Sequence, residues 1–190
     1  MSQTPESPIL AALYNRKRDE AERLAADGVL TIWEAAALGR DARVRELMRQ
    51  EPSLANEWTP DGWTPLMLAA FFATASTVRL LLDHGAEIDV SARNAMKVQP
   101  LHAAVGARNR DSVELLLDRR ADPNARQQIG YTPLMGAASA GREDLVLLLL
   151  SRGADASLVS EDGKTAESIA LEHGHTALAE RLRALRKADI

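Results

Sequence analysis

Short apolar stretches recur along this chain in pairs, and a polar turn separates the two members of each pair. In the stretch 130–155 the first member carries three small or apolar residues at helical spacing: Leu134, Ala137 and Ala138. The second member carries the run Leu148–Leu150. Residues three and four apart share a helix face, so the pattern predicts two short helices. Neither can bury its apolar face alone, and each pair therefore needs a neighbouring pair.

The helix pairs repeat with a nearly constant period. Their openings start 35, 33 and 33 residues apart: Thr64-Pro65-Leu66, Gln99-Pro100-Leu101, Thr132-Pro133-Leu134 and Thr165-Ala166-Glu167. A threonine side chain can cap a helix start, and proline suits the first helical position because its missing N–H would be unpaired there anyway. A leucine triplet follows at the same offset in three of the repeats: Leu80–Leu82, Leu115–Leu117 and Leu148–Leu150.

The spacing and the Thr-Pro-Leu opening, with the closing sequence Gly153-Ala154-Asp155, resemble those of the ankyrin-repeat family. The resemblance covers nearly the whole chain. It implies an all-α solenoid of stacked helix pairs with projecting β-turn or hairpin fingers. It also implies protein binding through a concave face formed by the fingers and the first helix of each pair. It names no partner.

The period divides the chain into a capped stack. We predict a disordered N-terminus, an N-terminal capping partial repeat, four repeats and a C-terminal capping repeat 5, at residues 1–6, 7–28, 29–60, 61–95, 96–128, 129–161 and 162–190. Leu24 in the N-terminal cap and Leu185 in the last helix are expected to face the core.

Two positions depart from the pattern. The loop Val90–Val98 is two residues longer than its counterpart and has Lys97 where the other fingers have glycine, so a different finger conformation is expected. Arg120 stands where Gly85 and Gly153 stand in neighbouring repeats. A left-handed backbone at this position would cost about 1–2 kcal/mol for a residue other than glycine.

Composition removes several classes of function. The chain has no cysteine, which excludes disulfides and thiolate metal sites. A net charge of −4 without a basic face argues against nucleic-acid binding. No apolar run is long enough to span a membrane, and MSQTPESPIL does not resemble an export signal, so a cytoplasmic location is expected.

Histidine is the main candidate for catalysis or metal binding. His102 occupies the position that, by the resemblance, ties adjacent repeats through hydrogen bonds. His173 and His175 flank Gly174 at an inter-helix turn, and no third ligand is evident near them. We therefore predict no catalytic residue, no metal and no cofactor. A metal-dependent enzyme built on His173 and His175 stays open as an alternative.

Aromatic residues make up only 4% of the chain and concentrate in repeat 2. Aromatic side chains on a face of small residues often anchor protein interfaces. The predicted partner-binding residues are Trp58, Trp63, Phe71, Phe72, Lys97, Val98, Gln128 and Tyr131. The alternative is that Trp63 and one phenylalanine only pack between neighbouring fingers or helices.

The sequence thus predicts a non-enzymatic protein–protein interaction module that acts as an adaptor, an inhibitor or an assembly factor. Its partner would be another protein rather than a nucleic acid or a membrane. A self-associating structural protein, with the same aromatic cluster as a homodimer interface, is the alternative, so both a monomer and a homodimer are open.

Overall fold

The computed structural model describes residues 7–26 and 28–188, so the expectation of disorder at residues 1–6 lies outside it. The described residues form twelve α-helices and no strand: α1 Pro8–Tyr14, α2 Arg18–Ala26, α3 Ile32–Leu38, α4 Asp41–Gln50, α5 Pro65–Phe72, α6 Ala75–Asp83, α7 Pro100–Gly106, α8 Arg110–Asp118, α9 Pro133–Ser139, α10 Glu143–Ser151, α11 Ala166–Glu172 and α12 Thr176–Ala188. None of these helices is long and apolar enough to cross a membrane.

The helices stack in two layers, as an ankyrin-type solenoid requires. The first helices α1, α3, α5, α7, α9 and α11 contact one another in sequence, and the second helices α4, α6, α8 and α10 do the same behind them. Each pair buries its apolar face against the next pair. The core therefore runs the length of the stack.

The helix starts form as the sequence predicts. The side chains of Thr64, Thr132 and Thr165 each accept a hydrogen bond from the backbone N–H three residues on. Each of these bonds satisfies one of the N–H groups that a helix start leaves unpaired. Gln99 precedes α7 without such a bond.

The stack is closely packed because its first helices are rich in alanine and leucine. Leu66, Leu134 and Ala137 are almost completely buried. Two expectations at the ends of the stack were wrong, since Leu24 is 44% exposed and Leu185 is 37% exposed. Both side chains belong to terminal second helices, which lack a neighbouring pair on one side.

The fingers are tight turns rather than paired strands. Three are closed by a backbone bond across four residues, from Thr59 to Trp63, from Gln127 to Tyr131 and from Ser160 to Lys164. The finger of 90–98 is longer, because its bond runs from the Ala92 N–H to the Val98 carbonyl. This confirms the predicted difference in that finger.

Backbone hydrogen bonds tie successive fingers together. The Arg93 N–H donates to the Gly62 carbonyl, the Gln128 N–H to the Met96 carbonyl and the Glu161 N–H to the Ile129 carbonyl, each at 2.9 Å. The fingers therefore form a continuous row beside the first helices.

Arg120 adopts the predicted left-handed conformation, with φ of 68°, like Gly85 and Gly153 at 85° and 90°. We expect Arg120→Gly to raise the free energy of unfolding by about 1 kcal/mol, because the arginine Cβ makes this conformation unfavourable. Urea denaturation measures the change. A lower urea midpoint for the variant would contradict the expectation.

Candidate partner-binding face

An apolar cleft of about 440 Å³ opens on the face formed by the first helices and the fingers. Its walls come from α1, α5, α7, α9 and three fingers. The side chains and backbone that shape it include Tyr14, Trp63, Phe71, Met96, Val98 and Gly106. We call this space the aromatic cleft.

Four aromatic rings pack edge to face at one side of the aromatic cleft. Phe71 and Phe72 have ring centroids 4.8 Å apart, and Trp63 lies 6.3 Å from Phe71. Tyr14, from the N-terminal cap, lies 5.3 Å from Phe72 and 6.3 Å from Trp63. Edge-to-face packing at these distances is favourable. The cluster is therefore a preformed surface.

Phe71 and Phe72 take their positions from an unusual turn after α5. Ala73 is extended there, with φ of −106° and ψ of −157°, whereas Gly141 at the corresponding turn has φ of 64°. Alanine avoids the left-handed region that glycine enters freely. The Arg18 guanidinium donates to the Phe72 carbonyl at 2.9 Å and so holds the turn against the N-terminal cap.

The two phenylalanines differ in how far they are buried. Phe71 is 39% exposed and lines the aromatic cleft, whereas Phe72 is half-buried against the core. Trp63 is also partly buried. The alternative that Trp63 and one phenylalanine only pack within the stack therefore fits Trp63 and Phe72. Phe71 is the most exposed ring of the cluster.

Glycines give the aromatic cleft its depth. A Cβ added at Gly106 would meet only the Phe71 Cε2 atom, at 3.7 Å, and one added at Gly136 would meet Val105 Cγ1 at 3.4 Å. A larger side chain at Gly106 would therefore occupy the cleft without entering the core. Gly106 also has no positive φ, so its backbone accepts other residues.

A second groove of about 340 Å³ lies beside the aromatic cleft along the finger row. Its lining includes Ile129, Tyr131, Lys164 and Gln128, and Met96 lines both spaces. The Lys164 ammonium pairs with Glu172 at 2.6 Å. Burial raises the pKa of Tyr131, and the nearby Lys164 charge opposes that rise.

Ile129 occupies a strained position at the tip of its finger. Its φ of 56° and ψ of 24° are left-handed, and its side chain is 44% exposed. Asp61 and Asp162 stand at the same place in other fingers and have no positive φ. A β-branched residue in this region is a genuine outlier, and such strain often accompanies a functional surface.

An acidic group lies at the Tyr14 end of the aromatic cleft. Asp61 belongs to the finger turn that leads into Trp63, and its Oδ1 atom is buried, as is the Tyr14 hydroxyl. Burial raises the pKa of Tyr14, and the charge of Asp61 and a hydrogen bond to its carboxylate raise it further. The phenol therefore stays protonated and can donate to the carboxylate.

His102 is a structural residue, as the sequence predicts. Its Nε2 atom lies 3.2 Å from the Tyr131 carbonyl of the next repeat. Burial lowers the pKa of His102 to about 4, although the Tyr131 carbonyl favours the protonated form. The imidazole is consequently neutral near pH 7 and bridges two repeats beneath the aromatic cleft.

His173 and His175 both face the preceding repeat. The His173 Nε2 atom lies 3.3 Å from the Ser139 hydroxyl, and the His175 Nε2 atom lies 3.3 Å from the Ser139 carbonyl. Within residues 7–26 and 28–188, no group of three or more histidine, aspartate or glutamate side chains is placed to hold a metal ion. Both contacts therefore join repeats.

The structure brings together only part of the predicted set. Trp63, Phe71, Phe72 and Val98 meet at the aromatic cleft, although Val98 is only 5% exposed. Gln128 and Tyr131 line the second groove. Trp58 lies apart from these rings, under the Arg93 guanidinium at 4.0 Å, and Lys97 is exposed but lines neither space.

Sequence reasoning missed three residues of this face: Tyr14, Met96 and Ile129. Tyr14 lies in the N-terminal cap, far from repeat 2 in sequence. Ile129 could have been found, because a finger turn that elsewhere reads Asp-Gly reads Ile-Gly at this place.

Comparison with known proteins identifies the repeats. A family model described as "Ankyrin repeats (3 copies)" matches residues 32–127 and 120–190. The chain is 38% identical over 99 residues to the mouse (Mus musculus) protein "Ankyrin repeat, SAM and basic leucine zipper domain-containing protein 1", an alignment that covers 50% of this chain and 20% of that protein. The protein of the same description from Pongo abelii is 40% identical over 95 residues, covering 47% and 19% of the two chains.

A relative with a different description also matches. "Serine/threonine-protein kinase VIK" from Arabidopsis thaliana is 33% identical over 103 residues, which cover 54% of this chain and 22% of the kinase. The chain thus aligns with about a fifth of the length of these relatives.

Proposed function

Because this chain belongs to the ankyrin-repeat family, we propose that it is a non-enzymatic module that binds a partner protein through the aromatic cleft and the neighbouring finger tips. Ankyrin repeats indicate a protein–protein interaction module. The choice of this particular surface goes beyond that general role. An adaptor, an inhibitor and an assembly factor would all use such a surface.

The observation that carries the proposal is a run of exposed large apolar side chains on one face. Phe71, Met96 and Ile129 are 39%, 53% and 44% exposed. They line two neighbouring grooves that share Met96 and Gln127. Contiguous apolar surface beside a groove is typical of protein interaction sites.

Rigidity supports the same assignment. The finger tips are joined by backbone hydrogen bonds, and the rings behind them pack edge to face. Side chains that are already fixed lose little conformational entropy when a partner binds. The strained backbone of Ile129, which holds an apolar group in solvent, is hard to explain by folding alone.

The test compares two exposed apolar residues on opposite sides of the stack. Phe71→Glu places a charge at the aromatic cleft, and Leu147→Glu places one on α10, whose residues line neither groove. Each variant and the wild type serve as bait in a lysate of the source organism. We expect Phe71→Glu to weaken capture of a specific protein at least tenfold and Leu147→Glu to leave it unchanged.

Circular dichroism and a urea midpoint must first show that both variants are folded. Equal capture by all three baits, or loss with Leu147→Glu alone, would contradict the proposal. Light scattering of the purified chain addresses the homodimer alternative. A dimer that Phe71→Glu dissociates would assign the surface to self-association.

A further inference from the structure

The Asp61 carboxylate, at the Tyr14 end of the aromatic cleft, has no positively charged partner. Asp61 makes no ion pair with any lysine or arginine in the described part of the chain, and the group that interacts with its carboxylate is the neutral Tyr14 hydroxyl. Asp162, at the same place in another finger, has the Lys164 ammonium 3.9 Å away. A partly buried carboxylate without a cation is costly. Asp61 is only partly buried, and Oδ1 is its buried oxygen, so a cation from outside can pair with the other carboxylate oxygen.

The positive groups near this face have other positions or partners. The Arg18 guanidinium, which donates to the Phe72 carbonyl, pairs with Glu22 at 3.6 Å. The Arg93 guanidinium lies over the Trp58 ring, and the Arg126 guanidinium donates to the Val159 carbonyl at 3.1 Å. Lys97 stands on the long finger and lines neither groove. None of these cations forms an ion pair with Asp61.

The size and the apolar lining of the aromatic cleft indicate which kind of side chain it can bind. A space of about 440 Å³ walled by Tyr14, Trp63, Phe71 and Met96 can accept one or two large apolar side chains. Interface anchors are typically such side chains inserted into preformed pockets. The carboxylate then lies beside the anchor rather than in its path, since Asp61 is outside the lining of the cleft.

We propose that the aromatic cleft receives a large apolar side chain of a partner peptide segment, and that a lysine or arginine next to that side chain pairs with Asp61. This inference rests on the proposed function and adds the chemical class of the partner segment. It predicts a preference for basic over acidic flanking residues, although the whole chain carries a net charge of only −4.

The experiment is a selection from a displayed library of random peptides of about twelve residues, with the folded wild-type chain as bait. Each round is counter-selected on Gly106→Leu, whose side chain would fill the cleft. We expect the enriched peptides to contain tryptophan, phenylalanine, leucine or methionine with lysine or arginine within four positions. Enriched peptides with acidic flanks, or no enrichment over the counter-selected variant, would overturn the inference.

Matched aspartate variants then test the role assigned to Asp61. Basic-flanked peptides from the selection should bind Asp61→Asn at least fivefold more weakly than wild type and bind Asp162→Asn as wild type does. Both variants remove one charge from the same place in a finger. An equal effect of the two variants would mean that only the general charge of the face matters, which also overturns the inference.

The outcome separates this inference from the proposed function. If Phe71→Glu abolishes capture of the natural partner but selection yields no basic preference, the binding face stands and the charge assignment fails. If the peptides instead dissociate a dimer of the chain without basic preference, a second copy occupies the cleft and both assignments fail.

Discussion

Gly62→Ala should lower the free energy of unfolding by about 3 kcal/mol, the sum of a left-handed backbone penalty and a steric clash. Gly62 has φ of 83°, and a Cβ there would lie 2.8 Å from the backbone carbon and oxygen of Arg93. The adjacent finger would have to move and lose the bond from the Arg93 N–H to the Gly62 carbonyl. Urea denaturation followed by circular dichroism measures the effect.

Gly163→Ala is the matched control for this prediction. Gly163 has φ of 80°, almost the same as Gly62, but a Cβ there would meet nothing within 4 Å. Its replacement should therefore cost only the backbone penalty of about 1 kcal/mol. Equal losses for the two variants would show that the contact between the fingers does not contribute to stability.

Acid should destabilise the wild type more than His102→Gln. The pKa of His102 is about 4 in the folded chain, below the value of about 6.5 expected when unfolded. Between these values the unfolded chain binds the proton and the folded chain does not. This histidine's contribution to stability is therefore fully present above pH 6.5 and is lost as the pH falls towards 4.

The size of the effect follows from the shift. Between pH 7.5 and pH 4.5, titration of His102 should remove about 2 kcal/mol of wild-type stability, a loss that His102→Gln avoids. Glutamine keeps a donor that can reach the Tyr131 carbonyl. The measurement is the free energy of unfolding of both proteins at several pH values, and a constant difference between them would contradict the pKa assignment.

The fold could be read from the sequence because its signals are local and repeated. Thr132-Pro133 sets a helix start through one hydrogen bond and one fixed backbone angle, and the same device recurs at Thr64. A repeat that lacks one residue of the pattern can still be recognised, because the other repeats keep that residue. The left-handed backbone at Arg120 could also be predicted, because neighbouring repeats have glycine at the equivalent position.

The ends of the stack were less predictable. Leu24 has the spacing of a buried residue, but burial depends on a neighbouring repeat that helical spacing cannot reveal. The same holds for Leu185. Exposure at a terminal helix is a property of the assembled stack rather than of the helix.

The binding face was only partly predictable for a similar reason. Phe71 and Phe72 follow from their place at the end of a first helix. Tyr14 joins them from a segment nearly sixty residues earlier, through the stacking of α1 beside α3. Trp58 was assigned to the cluster because of its closeness to Trp63 in sequence. It turns instead towards Arg93. The cytoplasmic location and the residue roles in binding stay predictions.

Photo-crosslinking tests the central claim, that a partner protein occupies the aromatic cleft, most directly. A benzophenone-bearing phenylalanine analogue would replace Phe71 in one sample and Leu147 in another, each expressed in the source organism. The account predicts a crosslinked partner from position 71 and none from position 147. A partner crosslinked only from position 147 would place the binding surface on the second helices and contradict the account.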